Sequence, residues 1–444
     1  MNEQGSPLEG VSYVVKGTTA GGTTNSVGEF SVTVTGANPV IVFSYVGYAT
    51  QEISVANVTG DLNLVLKAGG SSEMQEVVVT ALGIKRESKS LGYAVQEVKG
   101  EQLAATRELN VANALTGQVA GLQVARSSNG PGGSSKIILR GLSSLTGDNQ
   151  PLIVVDGVPI NNFTGQTNTD YWNPSLDMGN GLSDLNAEDI ASISVLKGPS
   201  AAALYGTRAG NGAILITTKT GRKQQGIGIT LSSSTGFERP FMSPDAQFDF
   251  GQGTNGSYDV LSPLSWGPKI EGQSLRKWDS TMAPLQAFSD NINNFLRTGV
   301  VSNQNITFQQ QLGGTSVYTS YNRVDNMSMI AGAKLIRNNI TTRAVSKFAQ
   351  DKLTLDAKVQ FNNMESRNRP LGGPDLGNNI FALMYNFPRS MDILDFKDYL
   401  NPNGTMRWWG SGNGLNPYWT EKNRLNNDVR DRFIMSGSLK YNIA

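Results

Sequence analysis

Between Leu353 and Asn362 apolar and polar residues alternate without a break. Leu353, Leu355, Ala357, Val359 and Phe361 fall on one side, and Thr354, Asp356, Lys358, Gln360 and Asn362 on the other. Successive side chains of an extended strand point to opposite faces, so this period predicts a strand of about ten residues with one apolar and one polar face. The same alternation recurs at Ile227 to Leu231, Ile306 to Leu312, Val317 to Tyr321, Ile340 to Phe348 and Phe433 to Tyr441, with Ile340 and Phe348 opposite Arg343 and Lys347. Strands of that length, apolar outward and polar inward, suit a lipid-facing barrel with a wet lumen. A soluble β-sandwich with one wet face has the same period, so periodicity alone leaves both architectures open.

Other classes are excluded more directly. The 444 residues hold no apolar run near 18, which rules out a transmembrane helix, and they suffice for two to four domains. A net charge of +1 gives no reason to expect nucleic acid as a partner. With no Cys and no His, a disulfide framework, a Cys/His zinc site, a Ser-His-Asp triad and an imidazole base cannot be built, and neither a metal nor a cofactor is expected. The start, MNEQGSPLEG, lacks a basic segment followed by an apolar one, so no secretion signal is present; an exported protein would then be processed or truncated there.

Along the chain, VSYVV, FSVTV, VIVFSYV, EISV and LNLVL are short strand-like runs between turn-rich stretches, predicting an Ig-like β-sandwich over residues 1–67. Residues 68–90 read as a linker carrying Glu76, Val77, Val78, Val79, Thr80 and Ala81; the three valines form a strand with no obvious local partner, suited to adding onto another protein's sheet edge. It could equally be the last strand of the sandwich. In residues 91–222, Asn110 can cap a helix whose Val111, Leu115 and Val119 share a face before Gly121 ends it. Arg140-Gly141 closes the KIIL strand and Asp156-Gly157 is a hairpin-type turn. Then come a strand over Ile190 to Leu196, Gly198-Pro199 opening a helical turn AAALY, Gly206 stopping it, a tight turn at Asn211-Gly212 and a strand over Ala213 to Thr218.

That last succession, AEDIASISVLKGPSAAALYGTRAGNGAILITTKTG, together with KIILRGLSSL and PLIVVDGVPI upstream, resembles the plug domain of TonB-dependent outer-membrane transporters. PLEGVSYVVKGT, GEF and FSYVGY resemble the carboxypeptidase-regulatory-like domain that precedes many such plugs in Bacteroidota. The sequence departs from that domain in lacking a strand before Gln4-Gly5, which would leave a sheet edge unpaired, and in having Asn25-Ser26-Val27 where an acidic turn residue is common. With the EVVVTALGIKRE segment, the order resembles the SusC/RagA branch.

The resemblance implies a mainly β protein: the Ig-like β-sandwich, then an α+β plug domain, then an incomplete transmembrane antiparallel β-barrel over 223–444. Barrels of 22 strands have a lumen wide enough for a plug, and 22 strands of about ten residues would consume all 222 residues after Arg222 before any loop, so only the first part of a barrel is expected. It further implies active import of a nutrient, an oligosaccharide or glycan or else a peptide, across the outer membrane. A SusD-like lipoprotein would capture ligand, and TonB, driven by ExbB/ExbD, would pull the box at Glu76 to Ala81 from the periplasm. Arg140, Gly141, Asp156, Gly157, Gly198, Gly206 and Gly212 would be plug framework. Outer-membrane lipid would surround the barrel, and no enzyme activity is implied.

Three further features weigh less. Gly251 to Gly256 matches G-x-G-x-x-G without a strand-to-helix setting, so a loop is expected. Asp156, Glu188 and Asp189 have no base partner for catalysis and read as turn or solvated residues. Trp408, Trp409, Tyr418 and Trp419 could stack on sugar rings, or pack a loop or an interfacial girdle. A pore-less cell-surface binding or adhesion protein remains the alternative function, with a carboxylate-pair glycan hydrolase behind it.

Overall fold

The computed structural model describes residues 1–444 other than 3–4, 17, 19, 35–38, 46–47, 49, 56–61, 67–76, 80–84, 88–94, 107, 128, 146–148, 163–175, 375, 377–378, 411, 413 and 443–444. The chain forms two compact units, Met1–Val78 with Lys85–Gly92, and Val79–Ile84 with Tyr93–Ala444.

In the first unit, β1 (Ser12–Val15), β2 (Gly21–Thr23), β3 (Val40–Ser44) and β4 (Gln51–Ser54) make an antiparallel sheet in the order β2-β1-β3-β4. Alternation turns Tyr13, Val15, Ile41 and Phe43 inward onto Val11 and Leu66, and Phe30, Val32, Val34, Leu62 and Leu64 pack on that core. The runs FSVTV and LNLVL thus supply a second apolar layer, yet neither is a regular strand. Among the described residues, the Leu62–Leu66 run bonds laterally at Met1, whose amine donates to Leu64 O (2.9 Å) and whose carbonyl accepts from Leu66 N (2.9 Å). Val77–Val79 (β5) pairs with Lys85–Glu87 (β6) in a two-stranded sheet, so the valine strand has a local partner that the sequence did not reveal. Five residues separate the two strands, a hairpin-length connection.

The second unit opens with β7 (Val95–Lys99), α1 (Gly100–Ala105), α2 (Val111–Ala114), the hairpin β8 (Leu122–Arg126) and β9 (Ser135–Leu139), then β10 (Leu152–Val155) and β11 (Val158–Ile160). After 3-10 turns at Gly181–Asp184 and Ala187–Asp189 come β12 (Ile190–Leu196), α3 (Pro199–Tyr205) and β13 (Ala213–Thr218). The central sheet runs β11-β10-β13-β12-β7, and only β10 and β13 are parallel. Both faces are covered: Ile153, Val155, Ile193, Val195, Ile214 and Ile216 pack on Val111, Leu115 and Val119, while Val154, Leu196, Ala213 and Leu215 pack on Ala201 and Ala209. Asn110 caps α2 by accepting from Ala112 N at 3.0 Å, as its side chain suggests. The helix is shorter than the i, i+4, i+8 pattern predicts, because Gly117 turns to φ 76° after one turn; Leu115 and Val119 still reach the core from the turns that follow.

Beyond Gly221 the chain builds a wall. β14 (Ile229–Glu238) is followed by two small hairpins, β15 (Gly253–Thr254) with β16 (Ser257–Tyr258) and β17 (Ser274–Arg276) with β18 (Met282–Pro284), and by α4 (Asn291–Phe295). Next come β19 (Gly299–Leu312), β20 (Thr315–Met327), β21 (Lys334–Phe348) and β22 (Leu353–Arg367). Helices α5 (Ile380–Asn386) and α6 (Pro417–Asn423) precede β23 (Asn427–Tyr441). The six long strands form one antiparallel sheet, β14-β19-β20-β21-β22-β23, with β14 and β23 at its edges. All five long strands after β14 exceed the ten residues predicted. Their outward positions turn polar near one end, as at Asn363, Glu365 and Arg367 of β22, which hides the alternation there. Turns at 313–314 and 349–352 close one end; the other carries the loops 239–298 and 368–426, which share an aromatic core. The G-x-G-x-x-G stretch lies in the first hairpin of loop 239–298.

This wall is polar where it is buried and apolar where it is exposed. Lys358, Gln360, Asn362, Asn339 and Thr341 are all at most 3% exposed, whereas Leu231, Phe433 and Leu439 are over 60% exposed. A soluble sandwich would reverse that assignment, since it must bury apolar area to be stable. The pattern is that of a barrel wall with a lipid-facing exterior and a polar interior.

Candidate functional site

The polar inner face of the wall is covered by the five-stranded domain, and three aspartates of that domain make the contacts. Asp156 lies in the β10–β11 turn with φ 47°, next to Gly157 with φ 85°, the double positive φ of a tight hairpin. Its carboxylate turns back to accept from Thr218 N (2.9 Å) and Thr218 Oγ1 (2.8 Å), which ties the end of β13 to the turn. The same two oxygens receive Arg343 Nη1 of β21 at 3.2 Å and Lys358 Nζ of β22 in closer contact. Arg343 and Lys358 are direct cross-strand neighbours, so the register itself builds the cationic socket. Arg343 also grips Asp356 through Nε (3.0 Å) and Nη2 (2.7 Å). Burial opposes the charge on Asp156, but Lys358 and Arg343 outweigh it and hold its carboxyl below the ordinary aspartate range.

Asp184, at the end of a 3-10 turn capped by Asn180, sits in a second socket formed by Arg432 Nη1 at 2.8 Å and Arg430 Nη2. Both arginines project from β23 and also donate to plug-side carbonyls: Arg430 to Met178 O (2.9 Å), Arg432 to Asn161 O (2.8 Å). Arg337 of β21 donates to Leu109 O at 2.9 Å and to Ser183 O, and Asn339 donates to Asp184 O. The third aspartate, Asp189, accepts from Tyr318 Oη of β20 (2.8 Å) and Thr341 Oγ1 of β21 (2.9 Å). Asp156 and Asp189 occupy turns, as expected, but neither is solvated: the wall covers both and supplies their partners. Glu188, at the same 3-10 turn, is half-buried. The strands β20, β21, β22 and β23 hold one folded domain by its acidic corners.

Sequence reasoning missed the sockets because the aspartates and their wall partners lie 129 to 248 residues apart. The signal available was the polar side of the alternation, where Arg343 and Lys358 stand at inward positions; nothing in it names their partners. The expected framework residues Arg140, Gly141, Asp156, Gly157, Gly198, Gly206 and Gly212 all adopt positive φ. At Gly212, with φ 97°, a Cβ would lie 2.5 Å from Leu139 Cδ2 and 2.8 Å from Leu196 O. Of the linker segment, Val77, Val78 and Val79 are in β5, while Glu76, Thr80 and Ala81 lie outside the described residues. The four aromatics do not form a common open face. Trp409 is buried in the loop core, Trp408 packs on Phe396 (ring centroids 4.7 Å apart), and Tyr418 meets Phe295 edge-on (5.4 Å). Trp419 is half-buried in α6. Packing thus occupies the rings that a sugar would need.

A wall apolar outside, with a mixed α+β domain latched to its polar inner face, is part of a plugged β-barrel. Residues 87–213 match the family model of the TonB-dependent receptor plug domain, and residues 1–79 that of the CarboxypepD_reg-like domain. The chain belongs to the SusC/RagA-type TonB-dependent transporters. It is 30% identical over 370 residues to the TonB-dependent receptor SusC of Bacteroides thetaiotaomicron, covering 83% of this chain and 34% of that one. It is 37% identical over 222 residues to the TonB-dependent receptor P39 of Formosa agariphila, covering 50% and 19%. It also resembles the RagAB peptide importer in its open-open state, with a TM-score of 0.56 at 22% identity over 81% of this chain and 40% of that one, a likeness of fold. The chain spans about a third or less of these curated relatives' length.

Proposed function

We propose that this chain is the front part of a transporter that imports a nutrient across the outer membrane in a TonB-dependent way. In this reading residues 1–67 are the regulatory-like domain, 68–90 the linker with the TonB box, 91–222 the plug and 223–444 the first part of a 22-stranded barrel. The observation that carries it is the pair of ionic sockets around Asp156 and Asp184, which support a plug seated in a polar lumen and held by contacts that can be broken and remade. Glu76 to Ala81 would face the periplasm, where TonB with ExbB/ExbD pulls; Arg140, Gly141, Gly157, Gly198, Gly206 and Gly212 would keep the plug's turns. An oligosaccharide is the favoured ligand and a peptide the other, with a SusD-like lipoprotein over the barrel mouth and no chemical step performed by the protein itself. That the names of SusC and RagAB belong to a receptor and to a peptide importer supports the class and leaves both ligand types open. The test is uptake of candidate glycans and peptides by cells carrying the full-length protein, with and without TonB and with residues 76–81 deleted. Uptake that requires both TonB and the box is expected; uptake indifferent to both would refute the reading.

A further inference from the structure

A second attachment of the plug lies on the loop side of the wall. The tip of the β8–β9 hairpin, Asn129–Gly133, fits into a niche made by Leu335 of β21 and by Arg369 and Pro370 just past β22. A Cβ on Gly130 would lie 2.8 Å from Pro370 Cδ, and one on Gly132 would lie 3.0 Å from Leu335 Cδ1 and 3.4 Å from Arg369 Nη1. Arg369 is fully buried. Its Nη1 donates to Pro131 O at 2.9 Å, and its Nε and Nη2 fork onto Asp428 of β23 at 2.8 and 3.3 Å. A buried guanidinium needs such partners, because its desolvation is otherwise uncompensated.

Arg369 also stands at the neck of the 368–426 loop. Asn368 N donates to Asn426 O (2.8 Å), Arg369 N to Asn426 Oδ1 (2.9 Å), and Asn426 Nδ2 returns to Arg369 O (3.1 Å). Above that neck the loop is not slack: Ile380, Met384, Phe387, Ile393, Phe396 and Trp409 pack into one core with Phe295 and Ile330. The loop is packed on a core shared with Phe295 and Ile330 and pinched at its base, and residues beside that base, Arg369, Pro370 and Gly372, meet the plug tip.

We infer that the Arg369 neck is a latch on the plug tip, which the outer loop must release before the lumen can open. This rests on the import reading above. Displacing the loop withdraws Arg369 from Pro131 O and opens the niche around Gly130 and Gly132; while the loop stays in place, the tip stays closed in.

The chain contains no cysteine, so a designed disulfide across the latch would be unique within it. Gly372 offers the site, since a Cβ built there lies 3.5 Å from Asn129 Oδ1. The experiment places Asn129→Cys with Gly372→Cys in the full-length transporter in outer membranes and compares oxidised, reduced and single-cysteine forms. The oxidised double variant is expected to bind ligand yet import at the level of cells lacking TonB, with import restored by reductant. Oxidised protein that imports as fast as its reduced form would overturn the latch, as would failure of the two thiols to cross-link in resting membranes. Absence of TonB-dependent import by the wild type would instead defeat the import reading.

Discussion

Replacing Asp156 by Asn tests whether the cationic socket holds the plug. The carboxylate accepts four donors, from Thr218 N, Thr218 Oγ1, Arg343 and Lys358. An amide keeps one acceptor and turns an NH2 toward the rest. Arg343 retains Asp356, but the Lys358 side chain, 1% exposed, loses its counter-charge altogether. Removing one partner of a buried pair costs about 3–5 kcal/mol, which corresponds to roughly two to three and a half orders of magnitude in a local opening equilibrium. The assay is hydrogen exchange at the β13 amides Ile214 to Ile216 in the protein reconstituted in lipid, because these lie in the ladders with β10 and β12 and not against the substituted side chain. Exchange should accelerate by that factor, up to the ceiling set by global unfolding. The double variant Asp156→Asn with Lys358→Met, which leaves no orphan charge, should recover most of the loss, so the two changes couple strongly. Exchange within threefold of wild type in the single variant, or additive losses in the double, would refute the socket as the origin of attachment.

Other outcomes follow from the same geometry. Burial pushes the Glu421 carboxyl in α6 up to about 7. A raised carboxyl favours the folded loop when protonated, so this contribution is complete below the ordinary value near 4.5 and is lost as pH rises through about 7; proteolysis of loop 368–426 should quicken from pH 6 to 8.5, and Glu421→Gln should flatten that profile. For Asp156, whose folded pKa is depressed, the sign is opposite: its contribution is present above the unfolded value near 3.9 and fades as pH falls through the lower folded one, so the protection of β13 amides relative to their intrinsic exchange should be flat between pH 5 and 8 in wild type. Gly212→Ala forces positive φ on a residue with a Cβ and drives it into Leu139, so plug stability should fall by about 2 kcal/mol or more in thermal unfolding. Trp409→Ala should cost the loop core about 3–5 kcal/mol and leave it protease-sensitive; unchanged loop protection with reduced oligosaccharide affinity would restore the stacking role.

The plug's framework was legible because it is written locally. Pro and Gly punctuate Ile190 to Thr218 at each change of direction, Asn110 caps where its side chain can reach, and Asp156-Gly157 turns because both residues tolerate positive φ. The wall was legible only where lipid enforces alternation, as from Leu353 to Phe361; above that, outward positions meet water and the period fades, so strand ends and the 13- to 15-residue lengths were not. The sockets were illegible for a different reason. A lysine at an inward position looks the same whether it faces water or an aspartate two hundred residues away, and Lys358 meets Asp156 only because the whole domain has docked. The aromatic cluster is ambiguous in the same way, since a ring that packs and a ring that binds carry one composition.

The inner wall that grips the plug has a consequence of its own once the grip is released. Arg337, Arg343, Lys358, Arg430 and Arg432 face the plug, and among the described residues of the wall only Arg343 of these five has an acidic side-chain partner, Asp356; the neutralising carboxylates of Asp156 and Asp184 belong to the plug. When the plug shifts, those carboxylates leave with it. The newly opened side of the passage would then be electropositive, drawing anions in and repelling small cations, so that leakage through an open transporter would be selective by charge before it was selective by size.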